Sequence, residues 1–384
     1  MRARPNSADP IRVVLDARYV REKPSGIGVY VQALVDRLPD GAPADHFTFW
    51  AHPLAARPLS RAANTSEVTV RTGSNSPWSV LWPQRFASFA EVDVFHNPHN
   101  LLPRGIPCAS VVTVHDLMAL EQPRLHLRGF ERLTKRLYYH PAIGRALREA
   151  TCLIAPSGAT ADRICALAPA AASRLTVILE AADPCFRPAN DGDAARARAA
   201  ELTGEDAPYL LVVGANTPSK RHDLALAAFA SAVPRPWRLV LLQRRKGRAG
   251  LSRLARQLHV ADRAVWLEAV AREDVVTLMQ AAGALIQPSL YEGFGLPVLE
   301  AMACACPVVA SDIPPFREIA AGAALLVRPN EGGKLAAALR DIVRSPALRR
   351  SLGEQGAARA KGFSWDRCAR ETLEVYRTAA GARR

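Results

Sequence analysis

Short apolar runs recur along this chain, each separated from the next by a stretch long enough for a helix. The first is 11–15 (IRVVL), and a helix is expected after it over 27–38. Further strands are expected at 46–51, 68–71, 92–96, 111–114, 153–155 and 176–178. The pattern restarts at 209–213 and continues at 239–242, 265–267, 283–287 and 308–310. Runs this short and this apolar suit strands covered on both faces, and their alternation with helices builds parallel sheets. Two such series in 384 residues predict two Rossmann-like domains. The segment 187–207, rich in Ala, Asp, Arg and Pro, is expected to hold a linker and one surface helix.

In open α/β sheets, ligands bind beyond the carboxyl ends of the strands. After the run at 283–287 the chain reads YEGFGLPVLE over 291–300. Glu292 and Glu300 stand eight residues apart, with Gly293, Gly295 and Pro297 between them. Proline suits the first turn of a helix, so the reading is strand, glycine-rich loop, helix start. Amides at the positive end of a helix suit a phosphate, and glycines let it approach the backbone. The carboxylates would repel a phosphate, but each can accept two hydrogen bonds from vicinal hydroxyls. A ligand with both a diphosphate and sugar hydroxyls is a nucleotide sugar.

The stretch from Ser289 to Asp312, SLYEGFGLPVLEAMACACPVVASD, resembles the signature of the retaining glycosyltransferases of family 4, the group 1 glycosyltransferases. SGIGVY (25–30), TVHD (113–116), APSGAT (155–160) and FSW (363–365) sit where that family has similar segments, so the likeness covers nearly the whole chain. It implies the GT-B fold, an α/β architecture of two facing Rossmann-like domains with the active site in the cleft between them. Residues 1–188 would form the acceptor domain, joined by the final helix 364–384, and 189–363 the donor domain. The implied activity is retaining transfer of a sugar from a nucleoside diphosphate to a glycan or lipid-linked oligosaccharide of the cell surface. The N-terminal half, with the late glutamate of VILEAAD (177–183), is closest in pattern to bacterial mannosyltransferase-like members. GDP-mannose is therefore the first donor expected, with UDP-sugars open.

By that resemblance Glu292 meets the donor sugar and Glu300 the ribose hydroxyls. The amides from Gly293 through Phe294 and Gly295 to Leu296 hold the diphosphate. Lys220, in GANTPSKRH, aligns with the family's diphosphate-binding cation, and Arg221 is a second candidate. Gly26 and Gly28 would reach the diphosphate from the opposite side. His115, as a neutral imidazole, would face the donor sugar. The catalytic set is thus Glu292, His115 and Lys220. Three departures stand out. Ala215 replaces an arginine common after the strand's glycine, QRRKGR (243–248) replaces glycines, and Ala305 replaces a glycine with an expected slight tightening of packing.

His96, Asn97 and His99, in FHNPHN, are expected on the acceptor side. They lack the nearby carboxylates and i,i+4 spacing of a metal site. Protein cations and helix termini answer the diphosphate charge, so neither a metal nor another cofactor is expected.

The net charge of +14 admits nucleic acid or an anionic membrane as partner. A nucleic-acid protein would leave the two-glutamate loop unexplained, and SGIG is not the dinucleotide fingerprint. Arg124, Arg128, Arg132 and Lys135 fall on one face of an expected helix, opposite Phe130, Leu133 and Leu137, a pattern that suits an anionic membrane surface. Seven cysteines without a CxxC pair suggest reduced thiols. No apolar run reaches the ~18 residues of a membrane span, and no apolar core follows the basic N-terminus. The expected location is cytoplasmic, at the inner face of the plasma membrane. The alternatives are a GT-B nucleotide-sugar epimerase, which carries different carboxylates, and a non-catalytic basic binding protein. A phosphorylase would need a glycine-flanked lysine, and none stands out.

Overall fold

The structure, a computed structural model, describes residues 9–21, 25–55, 58–126, 130–243, 248–268 and 270–382, with backbone only at 124, 126 and 130–137. The chain divides into two compact units, Met1–Glu180 with Ser364–Arg384, and Ala181–Phe363.

The first unit carries seven strands: β1 (Arg12–Leu15), β2 (His46–Ala51), β3 (Thr65–Thr69), β4 (Val94–Asn97), β5 (Ala109–Thr113), β6 (Cys152–Ala155) and β7 (Leu175–Val177). They form one sheet in the order β3-β2-β1-β4-β5-β6-β7, and every pairing is parallel. The second unit carries six: β8 (Tyr209–Val213), β9 (Arg238–Leu242), β10 (Ala264–Leu267), β11 (Ala284–Gln287), β12 (Val308–Ser311) and β13 (Leu325–Val327). Their order is β10-β9-β8-β11-β12-β13, again all parallel. In each sheet the chain winds outward to one edge, then returns and winds outward to the other. The strand order therefore reverses between β1 and β4, and between β8 and β11, where the carboxyl ends leave a crevice.

The parallel strands bury their apolar runs on both faces. Leu210, Val212, Phe229, Leu239, Leu241 and Ile286 are central to the second unit's core. Val112, Val114, Ile143, Leu153 and Ile164 play that part in the first, beside an aromatic cluster of Trp50, Phe89 and Phe95. The last helix, Trp365–Ala382, belongs to the first unit. Ser364 caps it by accepting from the Arg367 amide at 3.3 Å. Tyr376 is fully buried with its hydroxyl 2.7 Å from His96 Nδ1, and Arg377 reaches the buried Asp45 at 2.8 Å.

The elements lie close to where the sequence puts them, and three differences stand out, two in strands and one in a helix. The β3 strand is Thr65–Thr69, three residues upstream of the expected 68–71. The β13 strand was not expected at all. The first helix, Gly26–Val35, stops short of 38, because Leu38–Gly41 forms a separate turn with Pro39 in its first positions. All seven cysteines are free thiols, five of them buried. Among the described residues no helix is long and apolar enough to cross a membrane. The side chains of the basic face (Arg124, Arg128, Arg132 and Lys135) and residues 244–247 of QRRKGR lie outside the described residues.

Candidate active site

In the second unit two loops leave the switch point side by side. One follows β8 and turns at 215–220, where the Thr217 amide donates to the Ala215 carbonyl and the Lys220 amide to the Thr217 carbonyl. The other follows β11. A backbone bond joins them, as the Leu290 amide donates to the Ser219 carbonyl at 2.7 Å. The loops so held bring Lys220 Nζ to 2.5 Å from Glu292 Oε1. The side chains are 22% and 11% exposed, so the pair is shielded but open on one side. The sequence places these residues 72 apart, and the strand order makes them neighbours.

Beyond Glu292 the chain enters the Leu296–Ala303 helix, with Gly295 at the N-cap and Pro297 in the first turn. Gly295 has φ +121°, and a Cβ there would come within 2.5 Å of the Phe316 ring. Only glycine fits, for both backbone and space. The Phe294 and Leu296 side chains are buried, and Phe294 meets Phe363 edge-on with centroids 6.1 Å apart. Glu300 lies one turn into the helix and is half-buried.

Arg221 is turned elsewhere. Its Nε donates to Asp223 at 3.1 Å and its Nη1 to Asn330, so its charge is already answered. Its backbone is left-handed, φ +50°. His222 beside it is buried, and burial lowers its pKa. It lies 3.1 Å from Gln243 Oε1, while its Nε2 and the Gln243 Nε2 are buried without a partner among the described residues.

The remaining candidates stand in the first unit. Ser25 caps the Gly26–Val35 helix by accepting from the Gly28 amide at 3.1 Å. A Cβ on Gly28 would press within 2.7 Å of the Tyr19 carbonyl, which is why the helix needs glycine there. His115 follows β5. Its Nδ1 lies 3.0 Å from Glu180 Oε1 and its Nε2 2.8 Å from the Pro98 carbonyl. The Pro98 carbonyl can only accept, so Nε2–H donates there, while Nδ1 faces the Glu180 carboxyl group. Burial lowers the His115 pKa, but the hydrogen bond and charge of Glu180 outweigh it and the net shift is upward. The imidazole expected from sequence to be neutral is instead shifted toward the charged form by a carboxylate 65 residues away. His96 goes the other way: fully buried between Tyr376 and Thr113, it is pushed down to about 3 by desolvation and by His115. His99 joins Tyr19, Asn75 and Tyr139 in a hydrogen-bonded cluster at the same end of the sheet.

Two family models match the chain, "Glycosyl transferases group 1" over residues 193–359 and "Glycosyltransferase Family 4" over 24–184. The chain belongs to the group 1 glycosyltransferases of family 4. It is 37% identical to a D-inositol 3-phosphate glycosyltransferase of Kineococcus radiotolerans, over 50% of this chain and 49% of the relative. The chain thus spans about half the length of that relative. It is 27% identical to the O-antigen chain mannosyltransferase B of Escherichia coli, over 74% of each. Among solved structures, a sucrose-phosphate synthase from Thermosynechococcus elongatus superposes with a TM-score of 0.77 at 23% identity, over 96% of this chain and 98% of that one. This likeness confirms the pair of Rossmann-like units of a GT-B glycosyltransferase.

Sequence reasoning missed Gln287, Asn75 and the His222–Gln243 pair, and it singled out Glu180 without placing it at His115. Gln287 closes a run of three apolar residues, and a polar residue at the carboxyl end of a buried strand is well placed to face a ligand crevice. Glu180 stood in VILEAAD without a visible partner.

Proposed function

We propose that the protein is a retaining glycosyltransferase that moves a hexose from a nucleoside diphosphate to a glycan or lipid-linked acceptor. The observation that carries this is the Lys220–Glu292 pair, held on two tied loops at the switch point of the second sheet. Breaking the bond from the anomeric carbon to the phosphate oxygen sends its electron pair to the diphosphate and leaves positive charge on the sugar ring. Lys220 and the amides opening the Leu296–Ala303 helix suit the first charge, and Glu292 suits the second. Glu300 would take the ribose hydroxyls. The acceptor hydroxyl then bonds to the anomeric carbon on the face the diphosphate leaves, and its proton passes to the departing diphosphate oxygen.

GDP-mannose is the first donor in this reading, supported by the likeness to a mannosyltransferase along most of the chain. A second reading, favoured by the higher identity over a shorter stretch, gives the acceptor as a phosphorylated cyclitol. The charge balance in the crevice calls for no metal ion. In the first unit the hydrogen-bonded cluster of Tyr19, Asn75, His99 and Tyr139 would line the acceptor side. The basic face at 124–135 would meet an anionic membrane carrying a lipid-linked acceptor.

The test is turnover of GDP-mannose and of UDP-sugars in chelator, followed by proton NMR, with inositol phosphate and lipid-linked acceptors in separate arms. The expected result is one donor consumed and an α-linked product from an α-linked donor. No donor consumed in any arm, or turnover abolished by chelator, would contradict the proposal.

A further inference from the structure

Gln287 ends β11 beneath the Lys220–Glu292 pair and is 1% exposed. Its Nε2 donates to Ser289 Oγ at 3.2 Å and to Glu292 Oε1 at 3.3 Å. Its Oε1 is buried with no partner among the described residues. A buried carbonyl left without a hydrogen bond is destabilising. Turning the amide over would set that oxygen against the Glu292 carboxylate, acceptor against acceptor. Glu292 therefore fixes the amide's orientation, and the unpaired oxygen is the cost of keeping a donor on the carboxylate. An apolar side chain of the same length would fill the space without that cost, so packing alone does not explain a glutamine here.

Glu292 Oε1 thus has two donors of different kinds. One is an ammonium on a side chain open to solvent; the other is a buried amide. A diphosphate entering the crevice competes for the ammonium but not for the amide. We propose that Gln287 is a positioning residue for Glu292, holding the carboxylate in place when a bound diphosphate draws Lys220 away. The inference rests on the donor-site reading above and deepens it.

The test uses the full chain and compares wild type with Gln287→Met, Gln287→Asn and Glu292→Gln, and with Gln287→Met and Gln287→Asn each combined with Glu292→Gln. Three quantities are measured: the Kd of GDP and of UDP, the kcat and KM of the donor the wild type consumes, and the melting temperature. Methionine keeps the volume without the amide, and asparagine keeps the amide but withdraws it by one methylene. Each Gln287 variant is expected to bind the bare diphosphate within about twofold of wild type and to lose about tenfold in kcat. In the Glu292→Gln background that loss is expected to vanish, because the carboxylate it acts through is gone. Wild-type kcat in both variants would overturn the proposal. So would a loss that persists undiminished in the Glu292→Gln background, or one matched by an equal loss of bare-diphosphate affinity, since either marks a merely structural role. Folded wild-type protein that binds neither GDP nor UDP would instead overturn the donor-site reading, and this proposal with it.

Discussion

Two histidines in the first unit show how little a residue type says about charge. His96 and His115 lie close together at one end of the sheet, yet the first is pushed toward the neutral form and the second toward the charged one. The difference lies in their partners, hydroxyls for His96 and a carboxylate with a carbonyl for His115. Because the folded His115 pKa is raised above its ordinary 6.5, the stability it gives is full below that value and is lost as pH rises through the raised one. The Glu180→Gln variant is therefore expected to be less stable than wild type at pH about 6, by about 1–3 kcal/mol, with the gap narrowing in alkali. Urea unfolding of both proteins across pH measures it; His96 titrates in both and largely cancels. A gap independent of pH would contradict the upward shift of His115. In the second unit, Glu292→Gln is expected to lower turnover more than nucleotide affinity, and Glu300→Gln the reverse, measured as kcat against Kd. Wild-type rates in both would remove the carboxylates from the site. Glu292 and Lys220 were legible because glycine, proline and charge mark their loops. The pairing of Glu180 was not, since only the folded sheet brings it to His115.

At the scale of elements, the apolar runs located the central strands and failed at the edges. The β3 strand reads TSEVT and is only half-buried, so hydrophobicity pointed three residues too far along. The β13 strand has three residues, all half-buried, too few for periodicity to register. The end of the Leu296–Ala303 helix corrects a further expectation. Ala305 has φ +57°, and the Ala305 amide bonds to the Met302 carbonyl while that of Cys306 reaches Ala301. This is the Schellman arrangement, with alanine in the left-handed position that glycine favours. The alanine thus costs backbone strain rather than merely tightening packing. Ala305→Gly is expected to raise stability by about 0.5–1 kcal/mol, since the relief of about 1–2 kcal/mol exceeds the entropy glycine adds to the unfolded chain. Denaturant midpoints with an unchanged slope would show it; a loss of stability would mean the strain is not there.

At the scale of the whole molecule, the division of the chain makes a prediction of its own. The second unit is continuous from Ala181 to Phe363 and has its own sheet and core. As a fragment it is expected to fold cooperatively and to bind nucleoside diphosphate. The first unit is discontinuous, and its last helix supplies Tyr376 to His96 and Arg377 to the buried Asp45. Deleting 364–384 leaves Asp45 without its cation and opens the sheet's face, at a cost of several kcal/mol out of the roughly 5–15 kcal/mol a domain has. The truncated first unit is expected to lose its melting transition, observed by circular dichroism, while the second unit keeps its own. The two Rossmann-like series were legible from alternation alone, whereas the return of the final helix came from resemblance, because an amphipathic helix does not name the face that covers it.

The central claim is that the crevice between β8 and β11 binds a nucleoside diphosphate through Lys220. Calorimetry with GDP, UDP, ADP and their sugar conjugates, without added metal, tests it most directly in wild type and Lys220→Ala. The account predicts selective binding of one nucleotide by wild type and a loss of at least about tenfold in the variant. Folded wild-type protein that binds none of them, or a Lys220→Ala variant that binds as well as wild type, would contradict it.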